Sequence, residues 1–129
     1  MGQTQLFLVV LGMMLIGIAI YVGVSLFSAN TVEDTRNAII VDLQNFAAQA
    51  NAYYWKPTTQ GGGGKSFANI SMSQVYPMAE NVNAKYYIES AQDDQCVIDG
   101  VGKVVTTNGD SIRVRIRVTT QRNIVEILN

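Results

Sequence analysis

The sequence predicts an α+β fold in which one long N-terminal helix packs against a small antiparallel β-sheet. Three observations carry this. Leu6 to Phe27 is an apolar run uninterrupted by charge or proline. From Val32 to Tyr53, apolar residues recur at helical spacing on an otherwise polar segment. Near the end, Ile112, Val114, Ile116 and Val118 alternate with Arg113, Arg115, Arg117 and Thr119. That is the period of a strand with one buried and one wet face.

The apolar run holds about 22 residues, which at roughly 1.5 Å per helical residue covers about 33 Å. A bilayer core of roughly 30 Å is within that reach. The first charged side chain of the chain is Glu33. The run is longer than the apolar core of a secretory signal, and no Lys or Arg precedes it. Ser28-Ala29-Asn30 resembles a small-residue cleavage site, yet the helical pattern passes straight through it. The expected orientation leaves a short N-terminal stub inside and the larger C-terminal part outside. Gly12, Gly17 and Gly23 do not follow the GxxxG dimer spacing. They imply close packing of helices, or local softness of the rod.

Beyond Val32 the pattern becomes amphipathic. Val32, Ile39, Phe46 and Tyr53 form a heptad series, with Leu43 and Ala50 at the intermediate steps. Asp34, Asn37, Asp42, Gln44 and Gln49 fill the intervening positions as a polar face. No proline intervenes before Pro57, which stops the helix. One helix is therefore expected from about residue 3 to about residue 55, a rod of roughly 80 Å. The chain divides into an apolar transmembrane or filament-core half, 1–31, and an amphipathic half with its β domain, 32–129.

A loop is expected over 57–66, centred on Gly61-Gly62-Gly63-Gly64, whose glycines leave the backbone unconstrained, as a flexible connector, or permit close backbone approach. Phe67 to Asn83 has mixed polarity and no readable period. Lys85 to Ser90 reads as a strand. Gln95 to Asp99 and Val101 to Thr106 read as a second, kinked at Gly100 or Gly102. Asn108-Gly109 is a hairpin turn signal. Ile112 to Thr119 is the clearest strand, and a turn near Gln121 leads to Ile124–Leu128. The result is a meander of three to five strands. Its apolar face, with Ile112, Val114, Ile116 and Val118, needs cover, and the helix stripe Ile39, Leu43, Phe46, Ala50 and Tyr53 supplies it.

The composition narrows the chemistry. There is no histidine, which removes the commonest general base and zinc ligand. The single cysteine, Cys96, excludes an intrachain disulfide and reads as an inert buried thiol. Gly61 to Ser66 spells GGGGKS, but Thr59 stands where a phosphate loop needs its first glycine, and a helix precedes where a strand is needed. Arg113, Arg115 and Arg117 share one strand face. They read as a solvated face paired with acids such as Glu89, Asp93, Asp94, Asp99 or Glu126, or as a surface patch for a partner. Nucleic acid is a candidate partner that the net charge of −1 disfavours. Tyr53, Tyr54 and Trp55 cap the core or a contact between copies. The acid pairs Asp93-Asp94 and Glu33-Asp34 supply too few oxygens for calcium. No catalytic constellation or cofactor site emerges, so no enzyme is expected.

These residues, taken together, resemble type IV pilins and pseudopilins. In that family a helix of this length is apolar in its first half and packs its second half on a small antiparallel sheet. Gly2-Gln3 resembles the site at which a prepilin peptidase cuts after glycine, with Met1-Gly2 as the leader. The resemblance implies a homopolymer whose filament core is built from Leu6, Phe7, Val10, Met13, Met14, Ile16, Ile20, Tyr21, Val24 and Phe27. It also implies storage in the cytoplasmic membrane, pilus assembly machinery, and a final place in an extracellular filament on the cell surface. The chain departs from the family at Phe7, where a glutamate is usual, and in the disulfide loop it cannot form. Two alternatives remain: a single-pass anchored accessory or binding module, and a minor pseudopilin of a secretion or DNA-uptake system.

Overall fold

A computed structural model describes residues 2–106 and 108–128, and Met1 of the expected leader lies outside them. One α-helix, α1, runs unbroken from Gly2 to Trp55. It passes through Gly12, Gly17 and Gly23 without a break. Four strands follow as a meander: β1 (Ala84–Ala91), β2 (Gln95–Val105), β3 (Ser111–Thr119) and β4 (Asn123–Ile127). They form one antiparallel sheet in the order β1-β2-β3-β4. The helix lies across the sheet through β2 and β3.

The core forms where the helix stripe meets the inner sheet face. Ile39, Leu43 and Ala50 are fully buried, as are Ile98, Ile112, Val114, Ile116 and Val118. Phe46 and Tyr53 are buried beside them, and Ala47 joins them from the same turn. Phe46 meets the Tyr86 ring edge-on at 4.7 Å and stacks on Tyr76 at 5.0 Å. Val32, the first member of the heptad series, is only half-buried, because it lies where the helix leaves the sheet.

Strand β2 is one continuous element through its two glycines. Gly100 and Gly102 make room for the helix. A Cβ on Gly100 would stand 2.9 Å from Ile39 Cγ2 and 3.0 Å from the Tyr86 ring. One on Gly102 would stand 3.0 Å from Ile112 and 3.1 Å from Ile39 Cδ1. The two glycines form a socket for the Ile39 side chain, so helix and sheet approach closely there. The β2–β3 register shifts between Val101 and Val105, the interval that holds Gly102, and the β1–β2 register shifts between Ile88 and Ser90.

The tetraglycine loop packs closely against the end of α1. After a 3-10 turn at Thr58–Gln60, its amides fold back on the end of α1. Gly63 N–H donates to Tyr53 O at 2.9 Å, Gly64 N–H to Lys56 O at 2.9 Å, and Lys65 N–H to Tyr54 O at 2.7 Å. These bonds satisfy carbonyls that the helix terminus leaves without partners. Gly61 and Gly64 adopt φ of +83° and +58°. Gly62 and Gly63 have no space for a Cβ against Lys56 and Ser66. The run folds as a C-terminal cap on α1.

The unreadable stretch 67–83 also has a defined role. It holds a one-turn helix, α2 (Met72–Val75), closed at its start by a Ser71–Gln74 capping box. It places Phe67, Ile70 and Val75 under the helix as part of the core. Its side chains cover one end of α1, a contact that has no period in the sequence.

Candidate functional site

Two surfaces concern function: the bare half of α1, and the outer face of the sheet.

From Gly2 to Asn30 the helix buries none of its residues against the rest of the chain. Exposure of the expected filament-core residues runs from 49% at Val10 to 75% at Tyr21 and Phe27. Leu6, Phe7, Met13, Met14, Ile16, Ile20 and Val24 lie between those values. The apolar side chains point in all directions around the rod, so no face is left for water. A helix that is apolar all round needs lipid or protein on every side. The helix is long and apolar enough to cross a membrane. Gly2 and Gln3 sit in its first turn, exposed, with open space around Gly2.

The outer sheet face is organised around Asp99. Its side chain is 2% exposed, although it lies on the solvent side of β2. The antiparallel register sets Tyr87, Asp99, Arg115 and Glu126 in one cross-strand row. Arg115 clasps Asp99 with two parallel bonds, Nε to Oδ1 at 2.7 Å and Nη2 to Oδ2 at 3.0 Å. Tyr87 donates its hydroxyl hydrogen to Asp99 Oδ2 at 3.3 Å. Arg113 donates Nη2 to the Tyr87 oxygen at 3.2 Å and lies 4.0 Å from Asp99. Arg117 pairs with Glu126 at 3.6 Å. The hydrogen bond and charge of Asp99 hold the Arg115 guanidinium above the ordinary arginine pKa. The three arginines are thus drawn into cross-strand pairs with Asp99 and Glu126. Asp93 turns away from this face and accepts a hydrogen bond from Ser66 at 2.9 Å, which ties the glycine loop to the β1–β2 turn.

One polar cluster escapes the helix pattern. Asp42, placed by spacing on the solvent face of α1, is half-buried against the domain. Its Oδ2 accepts from Tyr86 at 2.5 Å, Asn81 Nδ2 at 2.8 Å and Asn83 Nδ2 at 3.3 Å. Burial, then the bond to Asp42, pushes the Tyr86 phenol well above its ordinary pKa. The Asp42–Asn81 and Asp42–Asn83 bonds staple the 76–83 segment to the helix. Only an Asx-rich stretch before β1, Asn81-Val82-Asn83, hints at this in the sequence.

The remaining candidates are structural by placement. Cys96 is buried, and burial raises its thiol pKa to about 11. Tyr53 is buried, Tyr54 packs on Phe67 at 4.8 Å, and Trp55 is 60% exposed. Among the described residues there is no group of three or more His, Cys, Asp or Glu side chains placed to hold a metal ion. Comparison with protein-family models, curated proteins and solved structures finds no match.

Proposed function

We propose that this chain is a pilin-like structural subunit of an extracellular helical filament, without catalytic activity. It is held in the cytoplasmic membrane by its apolar half-helix before assembly. One observation carries the reading: the bare half of α1 and the half that bears the domain are a single uninterrupted helix. A removable anchor or a flexibly tethered module needs no such rigid continuity. A polymer subunit does, because the rod transmits the packing of its apolar half to the position of its domain.

Lipid covers the apolar half in storage, and copies of the same half cover it in the filament. Burial is favourable at ~25 cal/mol per Å² of apolar surface removed from water. A repeated heterologous contact that does not close generates a helical fibre. The expected partners are other copies of this chain, a prepilin peptidase acting at Gly2-Gln3, and pilus assembly machinery.

Electron microscopy of the sheared cell-surface fraction, with mass spectrometry of the same material, tests this reading. The expected result is thin fibres composed mainly of this chain, with an N-terminal peptide beginning at Gln3. Retention of all the protein in the membrane fraction, with no fibres, overturns the filament and leaves a single-pass anchored module.

A further inference from the structure

A cleft of about 200 Å³ opens where α1 leaves the sheet. Phe27, Thr31 and Val32 form its helix wall, and Val104, Val105 and Thr106 at the end of β2 form the other. It is an apolar feature at an exposed edge: Phe27 is 75% and Val105 52% exposed. The location decides what occupies it. The apolar run that fits a bilayer ends at Phe27, so the cleft stands at the depth where acyl chains give way to headgroups.

The chemistry of that layer suits the same boundary. The helix contributes Ser28, Asn30 and Thr31 there, uncharged groups that tolerate a partly hydrated environment. Charge begins roughly 9 Å higher along the rod, at Glu33, which is held by Arg36 at 2.6 Å. Lys103 near the strand end is paired with Glu80 at 2.7 Å. Asp110, whose carbonyl accepts from Thr106 N–H at 2.7 Å, is exposed. Among the described residues no basic cluster lines this cleft, so the contact is one of apolar burial.

We propose that this edge is a membrane seat: Val105 and Phe27 enter the acyl–headgroup boundary of a phospholipid bilayer and set the domain against the membrane surface during storage. The seat fixes the height of the domain, which a lone helix with no charge below Glu33 leaves free to slide along the bilayer normal. The inference rests on the membrane reading of α1 and stands independently of polymerisation.

Tryptophan fluorescence of the full chain in phosphatidylcholine vesicles tests it. Trp55 is the single tryptophan, so Trp55→Phe gives a silent background. Val105→Trp reports the seat, Thr120→Trp the opposite end of the sheet, and Tyr21→Trp the membrane run. The expected result is a blue-shifted emission at 105, quenched by lipid brominated near the headgroup and shielded from acrylamide, with 120 open to acrylamide. Emission at 105 that matches 120 while 21 is quenched by lipid overturns the seat and leaves the membrane reading intact. Absence of lipid quenching at 21 overturns the membrane reading and the seat with it. If Val105→Trp does not fold, a nitroxide on Val105→Cys in the Cys96→Ala background reads the same depth from oxygen against nickel-chelate accessibility.

Discussion

The Tyr86 hydroxyl donates to the Asp42 carboxylate at 2.5 Å, and this bond joins the outermost strand to the long helix. Tyr86 is 3% exposed, and its ring also packs on Phe46, so one side chain serves the apolar core and a polar tie. Asp42→Ala removes the acceptor for Tyr86, Asn81 and Asn83 together. Stability is expected to fall by about 1–3 kcal/mol, the cost of leaving buried donors without partners. Tyr86→Phe, which leaves two donors on Asp42, is expected to cost less, about 1 kcal/mol. Urea unfolding of the full chain in detergent checks both values.

The same tyrosine makes the domain alkali-sensitive. Tyr86 and Cys96 both hold their protons more tightly folded than unfolded. The unfolded chain therefore binds fewer protons as pH rises, and stability falls with pH. The contribution of Cys96 is complete below about pH 9 and is lost as pH climbs through its folded pKa of about 11. That of Tyr86 begins to fall above about pH 10, the ordinary tyrosine value. Unfolding midpoints measured from pH 8 to 11 are expected to decline for the wild type. They are expected to decline less for Cys96→Ala and for Tyr86→Phe.

Gly100→Ala places a methyl group 2.9 Å from Ile39 Cγ2. The helix must lift from the sheet or Ile39 must leave its rotamer, at a cost of about 1–3 kcal/mol. Ile39→Ala is expected to cost less in the Gly100→Ala background than in the wild type, since it removes the Cγ2 methyl that the new methyl group meets. A double-mutant cycle on unfolding free energies reads the coupling.

A Cβ on Gly12, Gly17 or Gly23 would have nothing within 4 Å among the described residues of the chain. Alanine at each is therefore expected to leave the domain's unfolding midpoint unchanged, and to favour the helix by ~1 kcal/mol per site. Under the filament reading the same changes lower the yield of fibres, because a methyl group is added where copies of the helix approach closely. Fibre yield and domain stability measured on the same three variants separate the two effects. Unchanged yield removes these glycines from the contact.

Much of the architecture was legible because its signals are local. A long apolar run, a heptad stripe and a clean alternation each determine the environment of their own segment. The alternation at Ile112–Thr119 even separates the buried valines and isoleucines from the arginine face. What was not legible depends on contact across distance. Nothing within β2 distinguishes a glycine that kinks a strand from one that seats Ile39 from the helix. Nothing around Asp42 announces that residues some forty positions later will turn it from a solvated group into an anchor. In the glycine loop the sequence leaves both freedom and close approach open, and the acceptors at the helix terminus are what the loop amides meet.

By itself, the sequence determined that this chain carries one long rod, that the first half of the rod must be covered by lipid or protein, and that a small antiparallel sheet caps the second half. These follow from hydrophobic period and run length, which act residue by residue. Only the tertiary structure decided that Asp99 would be buried beneath Arg115, that Asp42 would hold Tyr86, and that Val105 would come to rest beside Phe27. Each of these pairs joins residues separated in the chain, and the geometry that brings them together exists only after the strands have paired and the helix has packed on the sheet.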